Sequence, residues 1–108
     1  MAIIRYSNRA AADLDSVAEY TVRTWGQEQG ERYLAQLEAM AQRLAEIPTL
    51  GRRCQEVRPG LWRLEVASHV MFFRRLEDGD TFICRILHRS MLPKQHPIDD
   101  AEPWQVAG

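Results

Sequence analysis

Gly60-Leu61-Trp62-Arg63-Leu64-Glu65-Val66-Ala67-Ser68-His69-Val70-Met71-Phe72-Phe73-Arg74-Arg75-Leu76-Glu77-Asp78-Gly79-Asp80-Thr81-Phe82-Ile83-Cys84-Arg85-Ile86-Leu87 is where the chain changes its hydrophobic period from near 3.6 to 2. That change decides the fold. Trp62, Leu64 and Val66 alternate with Arg63 and Glu65, the pattern of a strand with one buried face. Ser68-His69 makes a tight connection. Val70-Met71-Phe72-Phe73 then reads as apolar on both faces, which predicts a central strand covered on two sides. Asp78-Gly79 is the strongest hairpin signal in the chain, because a type I′ turn needs two residues that tolerate positive φ. Thr81 to Leu87 forms the strand after it. Three strands joined by short turns make an antiparallel meander.

Upstream the period is helical. Residues 2 to 6, Ala-Ile-Ile-Arg-Tyr, read as a short first strand ending at the helix-capping pair Ser7-Asn8. Ala11, Leu14, Val17, Ala18, Thr21 and Trp25 then recur at spacings of three and four, and Gly26 supplies a stop. A second stripe carries Tyr33, Leu34, Leu37, Met40, Ala41, Leu44 and Ile47 and ends at Pro48 and Gly51. So short a link predicts an antiparallel αα-hairpin. The order β-α-α-β-β-β is an α+β architecture in which the first strand joins the meander and the hairpin covers one face. Downstream, Pro93, Pro97 and Pro103 and the acidic Asp99-Asp100-Ala101-Glu102 argue against a regular element. The expected organisation is one domain over 1–96 and a tail over 97–108, with Trp104 either exposed or an anchor for the tail.

Composition narrows the function classes. A chain of 108 residues with 14 basic and 15 acidic side chains has room for one ordinary core without disulfides or a structural metal, which excludes large multi-part enzymes. Apolar runs such as Val70 to Phe73 fall far short of the roughly 18 residues of a membrane helix, and the first residues lack a signal-peptide apolar region. The expected location is the cytoplasm, with no membrane partner. The near-neutral balance hides an uneven distribution. Residues 9 to 46 hold four Arg and seven acids, residues 52 to 96 hold nine bases and five acids, and the tail holds three acids and no base. Thirteen of the bases are Arg and one, Lys94, is Lys, which first of all suggests a genome rich in Arg codons. Cys54 and Cys84 lie in no C-x-x-C motif and read as reduced thiols. Cys84 is expected in the core, and Cys54, beside Arg52 and Arg53, could have a lowered pKa.

The glycines form no phosphate loop, and His69, His88 and His96 lack a tight ligand spacing, so neither a cofactor nor a metal site is expected. What remains is basic. Arg63, Arg74, Arg75, Arg85, His88 and Arg89 lie on or at the ends of strands, with Arg52, Arg53 and Arg58 on the loop that enters the sheet. Such a set could grip phosphates and, with a placed His, cleave RNA through its 2′-hydroxyl. The plainer reading is a solvated face, with Arg63, Arg74 and Arg75 exposed or paired with Glu65 and Glu77.

Several of these segments also occur together in one known family. Ala12-Asp13-Leu14, Tyr20, Trp25-Gly26, Tyr33, Ile47-Pro48-x-x-Gly51-Arg52, Ser68 to Arg74 and Arg85-Ile86-Leu87-His88-Arg89-Ser90-Met91 give the chain, over roughly residues 3 to 92, a pattern that resembles the ParE branch of the RelE/ParE toxin superfamily. The resemblance implies an αα-hairpin against a small sheet and a toxin of a type II toxin–antitoxin pair. RelE-like members are ribosome-dependent mRNA endoribonucleases, whereas ParE-like members bind DNA gyrase and block replication without chemistry of their own. In the ribonuclease branch a basic residue commonly begins the central strand, where this chain has Val70, and a carbon side chain cannot stabilise a charged phosphate. The implied function is therefore gyrase inhibition rather than enzymatic catalysis. Ribonuclease activity and a non-toxic antitoxin-binding module are the alternatives.

The resemblance also suggests surfaces. For the target these are Arg85, His88, Arg89, Met91 and Leu92 at the end of the last strand, although Arg85 could instead pair with a carboxylate at the core edge. For a ParD-like antitoxin, whose C-terminal segment wraps its toxin, they are Tyr20, Trp25, Tyr33, Leu37 and Met40, with Arg52, Arg53 and Arg58 for its acidic side chains. The plainer reading of Leu37 is hairpin core. Operator DNA would be met only indirectly, through the antitoxin.

Overall fold

Residues 3–47 and 49–90 are described in the computed structural model. The first strand, β1 (Ile4–Tyr6), runs into Ser7, whose Oγ accepts the Ala10 N–H at 2.9 Å and donates to the Cys84 carbonyl at 2.7 Å. One buried serine thus caps helix α1 (Asn8–Trp25) and ties its start to the sheet. Gly26, at φ 96°, is the single residue between α1 and α2 (Gln27–Glu46), a conformation that a side chain would resist. So tight a link makes the helices an antiparallel pair, and Gly30 lets α2 approach the backbone of α1 at Val22.

Five strands form one mixed sheet in the order β1-β5-β4-β3-β2. The meander of β3 (Trp62–Val66), β4 (His69–Arg75) and β5 (Thr81–His88) is antiparallel as expected, and β1 adds to β5 in parallel. A further edge strand, β2 (Arg52–Arg53), lies where a loop was expected. It is two exposed arginines long, so it carries no apolar alternation from which it could be read. A second correction concerns the β4–β5 turn. Gly79 N–H donates to the Leu76 carbonyl and Leu76 N–H to that of Asp80, leaving a three-residue loop in which only Gly79, at φ 91°, has positive φ. The Asp78 carboxylate accepts the Asp80 N–H at 2.9 Å, so Asp78 acts by hydrogen bonding rather than in the left-handed conformation a type I′ turn demands.

The central β4 is buried on both faces, as its unbroken apolar run predicts. Met71 and Phe73 meet Ala10 and Val17 of α1 and Leu37, Ala41 and Leu44 of α2, together with Ile83 and Ile86. Val70 and Phe72 point the other way and pack with Cys54, Leu61, Phe82, Cys84 and Leu87. Arg75 overturns the expectation of a solvated arginine. Its guanidinium lies over the rings of Trp62 and Phe73 and donates to the carbonyls of Leu44, Ile47 and Leu50 and to Thr81 Oγ. It therefore closes the C-terminus of α2, where carbonyls lack helical partners.

Candidate functional site

At the opposite end of β4 the hairpin tip, the Ala67-Ser68 turn and the last residues of β5 come together. Tyr33, half-buried on α2, accepts the Ser68 N–H at its hydroxyl at 3.1 Å and meets His69 Nδ1 at 2.7 Å. The α2 helix is thereby fastened to the β3–β4 turn. His69 and His88 are direct partners across β4 and β5, with ring centroids 5.3 Å apart and planes at 84°. Burial, and then the neighbouring His88, pull the pKa of His69 below the ordinary imidazole value, against a smaller opposing effect of Asp13. On its other side His88 Nδ1 lies 2.8 Å from Ser90 Oγ.

Two open grooves of about 400 and 490 Å³ meet at this imidazole pair and share Tyr20, His69 and His88. The first passes between the hairpin tip and the turn, past Trp25, Gln29, Tyr33 and Gln36; the second follows α1 and the end of β5 past Asp13 and Arg85. Tyr20 and Trp25 are 59% and 65% exposed, although each would lower the free energy by burying its ring. Both stand at the rim of the first groove. Gln29, Tyr33 and Gln36 fall on one helical stripe, but their polarity hides that stripe from a hydrophobic periodicity search.

Arg85 owes its position to an irregularity in β5. Phe72 pairs with Arg85 but Phe73 with Ile83, so the register shifts by one residue at Cys84, as in a β-bulge. Arg85 then reaches Asp13 on α1 with two hydrogen bonds, Nε to Oδ2 at 2.9 Å and a terminal nitrogen to Oδ1 at 3.1 Å, while Ile86 N–H donates to the same carboxylate. Both side chains are largely buried, so the pair joins α1 to the sheet.

The structure brings some of the proposed antitoxin residues together and separates others. Tyr20, Trp25 and Tyr33 share the first groove, whereas Leu37 is fully buried and Met40 packs against the core, so neither offers the open face the hairpin stripe suggested. Arg52 and Arg53 lie toward the other end of β3, where Arg52 meets Glu65 at 3.0 Å and Arg53 lies over the Trp62 ring; Arg58 is half-buried in the loop between β2 and β3. Arg63 joins Glu65 as expected. Of the proposed target residues, Arg85 is closed onto Asp13, His88 is half-buried in both grooves and Arg89 is exposed. Met91, Leu92, His96, Trp104 and the tail at 97–108 lie outside the described residues. Cys54 corrects its expectation, because burial, followed by the nearby Glu56 carboxylate, raises its pKa despite Arg63. Among the described residues no three metal-ligating side chains cluster, and no helix is long and apolar enough to cross a membrane.

Against known proteins, the family model described as ParE toxin of type II toxin-antitoxin system, parDE, matches residues 4–93. Toxin ParE1 of Mycobacterium tuberculosis strain H37Rv is 38% identical over 85 residues, spanning 79% of this chain and 87% of that protein. Toxin ParE1 of Caulobacter vibrioides is 39% identical over 95 residues, spanning 85% and 94%. Among solved structures, a chain of the chromosomal ParDE toxin–antitoxin system from P. aeruginosa superposes with a TM-score of 0.71 at 23% identity, covering 82% of this chain and 96% of that one. A chain of the RelBE2 toxin-antitoxin complex from Mycobacterium tuberculosis gives 0.64 at 18% identity, covering 83% and 93%. The two structural likenesses bear on the fold.

Proposed function

The chain belongs to the ParE toxin family of type II toxin–antitoxin systems, and from that premise we propose that it inhibits DNA gyrase by binding it and is neutralised by a ParD-like antitoxin. The observation that carries the non-enzymatic reading is the state of the sheet end where ribonuclease chemistry would need basic groups. Position 70 is a valine buried on the opposite face, and Arg85 is engaged by Asp13 at two points. The surface there sets the rings of Tyr20, Trp25, Tyr33, His69 and His88 among polar side chains such as Gln29, Arg32 and Gln36 along open grooves, a mixture that suits protein recognition better than stabilisation of a pentavalent phosphate. Tyr20, Trp25 and Tyr33 are the proposed antitoxin anchors. Arg85, His88 and Arg89 are the described members of the proposed target surface, of which Arg85 is held by Asp13; Met91 and Leu92 are its remaining members.

A supercoiling and cleavage-complex assay on purified gyrase tests this reading. The expected result is loss of supercoiling with accumulation of cleaved DNA, relieved by the antitoxin encoded beside the toxin. In cells the same activity gives filamentation and DNA-damage signalling. Ribosome-dependent mRNA cleavage with gyrase unaffected would overturn the proposal in favour of the ribonuclease class. Tight antitoxin binding without any effect on growth would identify a regulatory module instead.

A further inference from the structure

The first groove differs in charge from the hairpin that forms most of its wall. Residues 9 to 46 hold seven acids against four Arg, yet among the described residues lining the groove none is acidic. Its polar lining includes Arg32, the amides of Gln29 and Gln36, and the imidazoles of His69 and His88. Hydrogen bonds already made fix which imidazole nitrogen is left for a partner. The Tyr33 hydroxyl accepts the Ser68 N–H and so has its own proton for His69 Nδ1, while the Ser90 N–H donates to His88 Nδ1 at 3.2 Å. Each neutral ring therefore carries its proton on Nε2, as a donor. We propose that this groove receives an Asp or Glu side chain of the antitoxin, held by the Nε2–H of His88 and the Arg32 guanidinium, with apolar neighbours of that residue on Tyr20 and Trp25.

This assignment rests on Tyr20, Trp25 and Tyr33 being antitoxin anchors and adds the chemistry of what that partner inserts. Exposed rings beside a patch of donors call for a segment that is apolar with a carboxylate in its midst. Arg32 meets Glu28 at 3.4 Å, but both side chains are highly exposed, and so solvated a pair gives way at little cost. Proton uptake accompanies binding. In the free chain burial, and then the neighbouring His88, hold His69 below the ordinary imidazole pKa. A carboxylate beside the pair favours the charged ring instead, so affinity rises as pH falls, as long as that carboxylate stays ionised. The other charged or titratable groups lining the two grooves are Asp13 and Tyr20 of α1, Arg32 and Tyr33 of α2 and Arg85 of β5. Asp13 is already held by Arg85 and the Ile86 N–H. Because His88 is also a member of the proposed target surface, an antitoxin carboxylate bound there covers part of that surface and neutralises by occlusion.

Calorimetry of the full chain with the purified antitoxin encoded beside it tests the site, with thermal unfolding to check that each variant is folded. Kd is expected to fall about three- to tenfold between about pH 8 and about pH 6, with proton uptake seen as a dependence of the binding heat on the buffer. His88→Gln keeps a side-chain donor but cannot take up a proton, so most of that gain should be lost. Gln36→Glu should weaken binding by about tenfold or more, because a carboxylate in the groove repels the partner's and draws Arg32 away. Gln42→Glu makes the same charge change at an exposed position of α2 outside the groove and should alter Kd by less than about twofold. A parent affinity that does not rise as pH falls, a His88→Gln variant that keeps more than half of the gain, or equal losses in Gln36→Glu and Gln42→Glu would each overturn the proposal while leaving the antitoxin partnership standing. Absence of antitoxin binding by the parent chain at any pH would overturn both.

Discussion

Two side chains show how much a single position can decide. The Asp13–Arg85 pair is largely buried and two-pronged, and Asp13 also accepts the Ile86 N–H, so removing the carboxylate strands a guanidinium and a backbone donor together. Asp13→Ala is expected to destabilise the chain by about 2–4 kcal/mol in urea unfolding, while the Asp13→Leu/Arg85→Leu double variant should lose less, because no unpaired charge remains. A double variant less stable than either single one would show that the pair itself is favourable and refute this account. Arg75 poses a different case. Its planar fork reaches three carbonyls at the end of α2 and rests on two aromatic rings. Arg75→Met is expected to cost about 2–3 kcal/mol, since a charged donor to several acceptors is lost, and Arg75→Lys should restore only part of that, because an ammonium cannot reproduce the fork. Full rescue by lysine in the same unfolding measurement would reduce the residue's role to charge alone. Nothing in the alternation around Arg75 revealed this, because a residue next to Arg74 and Leu76 reads as the end of a strand.

The hairpin of α1 and α2 shows an element overriding a residue's intrinsic preference. Helix propensity alone says that Gly30→Ala should stabilise by about 1 kcal/mol. A Cβ at Gly30, however, would sit 2.6 Å from Val22 Cγ2 and 3.0 Å from the Val22 nitrogen, and the backbone atom cannot rotate away. The expected outcome is a net destabilisation of about 1–3 kcal/mol, seen as a lower Tm, with the second helix displaced from the first. A raised Tm would show that the helices separate at little cost. At this scale most of the fold was legible: the Ser7 cap, the stop at Gly26, both helical stripes, the two-faced β4 and its neighbours all follow from periodicity and capping. Three features were not. β2 consists of two exposed arginines, the β4–β5 loop depends on the hydrogen bond that the Asp78 carboxylate accepts rather than on its φ, and the register shift at Cys84 falls on what looks in sequence like any apolar strand residue. Each is set by pairing across the sheet, which a pattern within one segment does not encode.

Over the whole molecule, the candidate site emerges where distant segments meet, and only part of it was legible for that reason. Tyr20, Trp25 and Tyr33 drew attention as amphipathic aromatics, but their association with Ser68, His69 and His88 depends on the hairpin tip lying beside the β3–β4 turn. Conversely Leu37, from the same stripe, is consumed by the core, because α2 presents that face to the sheet. Burial therefore divides the proposed antitoxin residues into those that hold the fold and those a partner can reach. Tyr20→Ala and Trp25→Ala, both at exposed rings, are expected to change stability by no more than about 0.5 kcal/mol. If they are anchors for the antitoxin, each should weaken its binding by tenfold or more in calorimetry with the purified antitoxin, since aromatic anchors at an interface each contribute about 2 kcal/mol or more. Leu37→Ala should do the reverse, lowering Tm by a core-sized amount, about 2–5 kcal/mol of stability, because it empties a fully buried position. Its effect on affinity should then disappear when measured at a temperature where the variant is fully folded. Unchanged affinity in both Tyr20→Ala and Trp25→Ala would move the antitoxin to another surface and leave the grooves at the imidazole pair for the target.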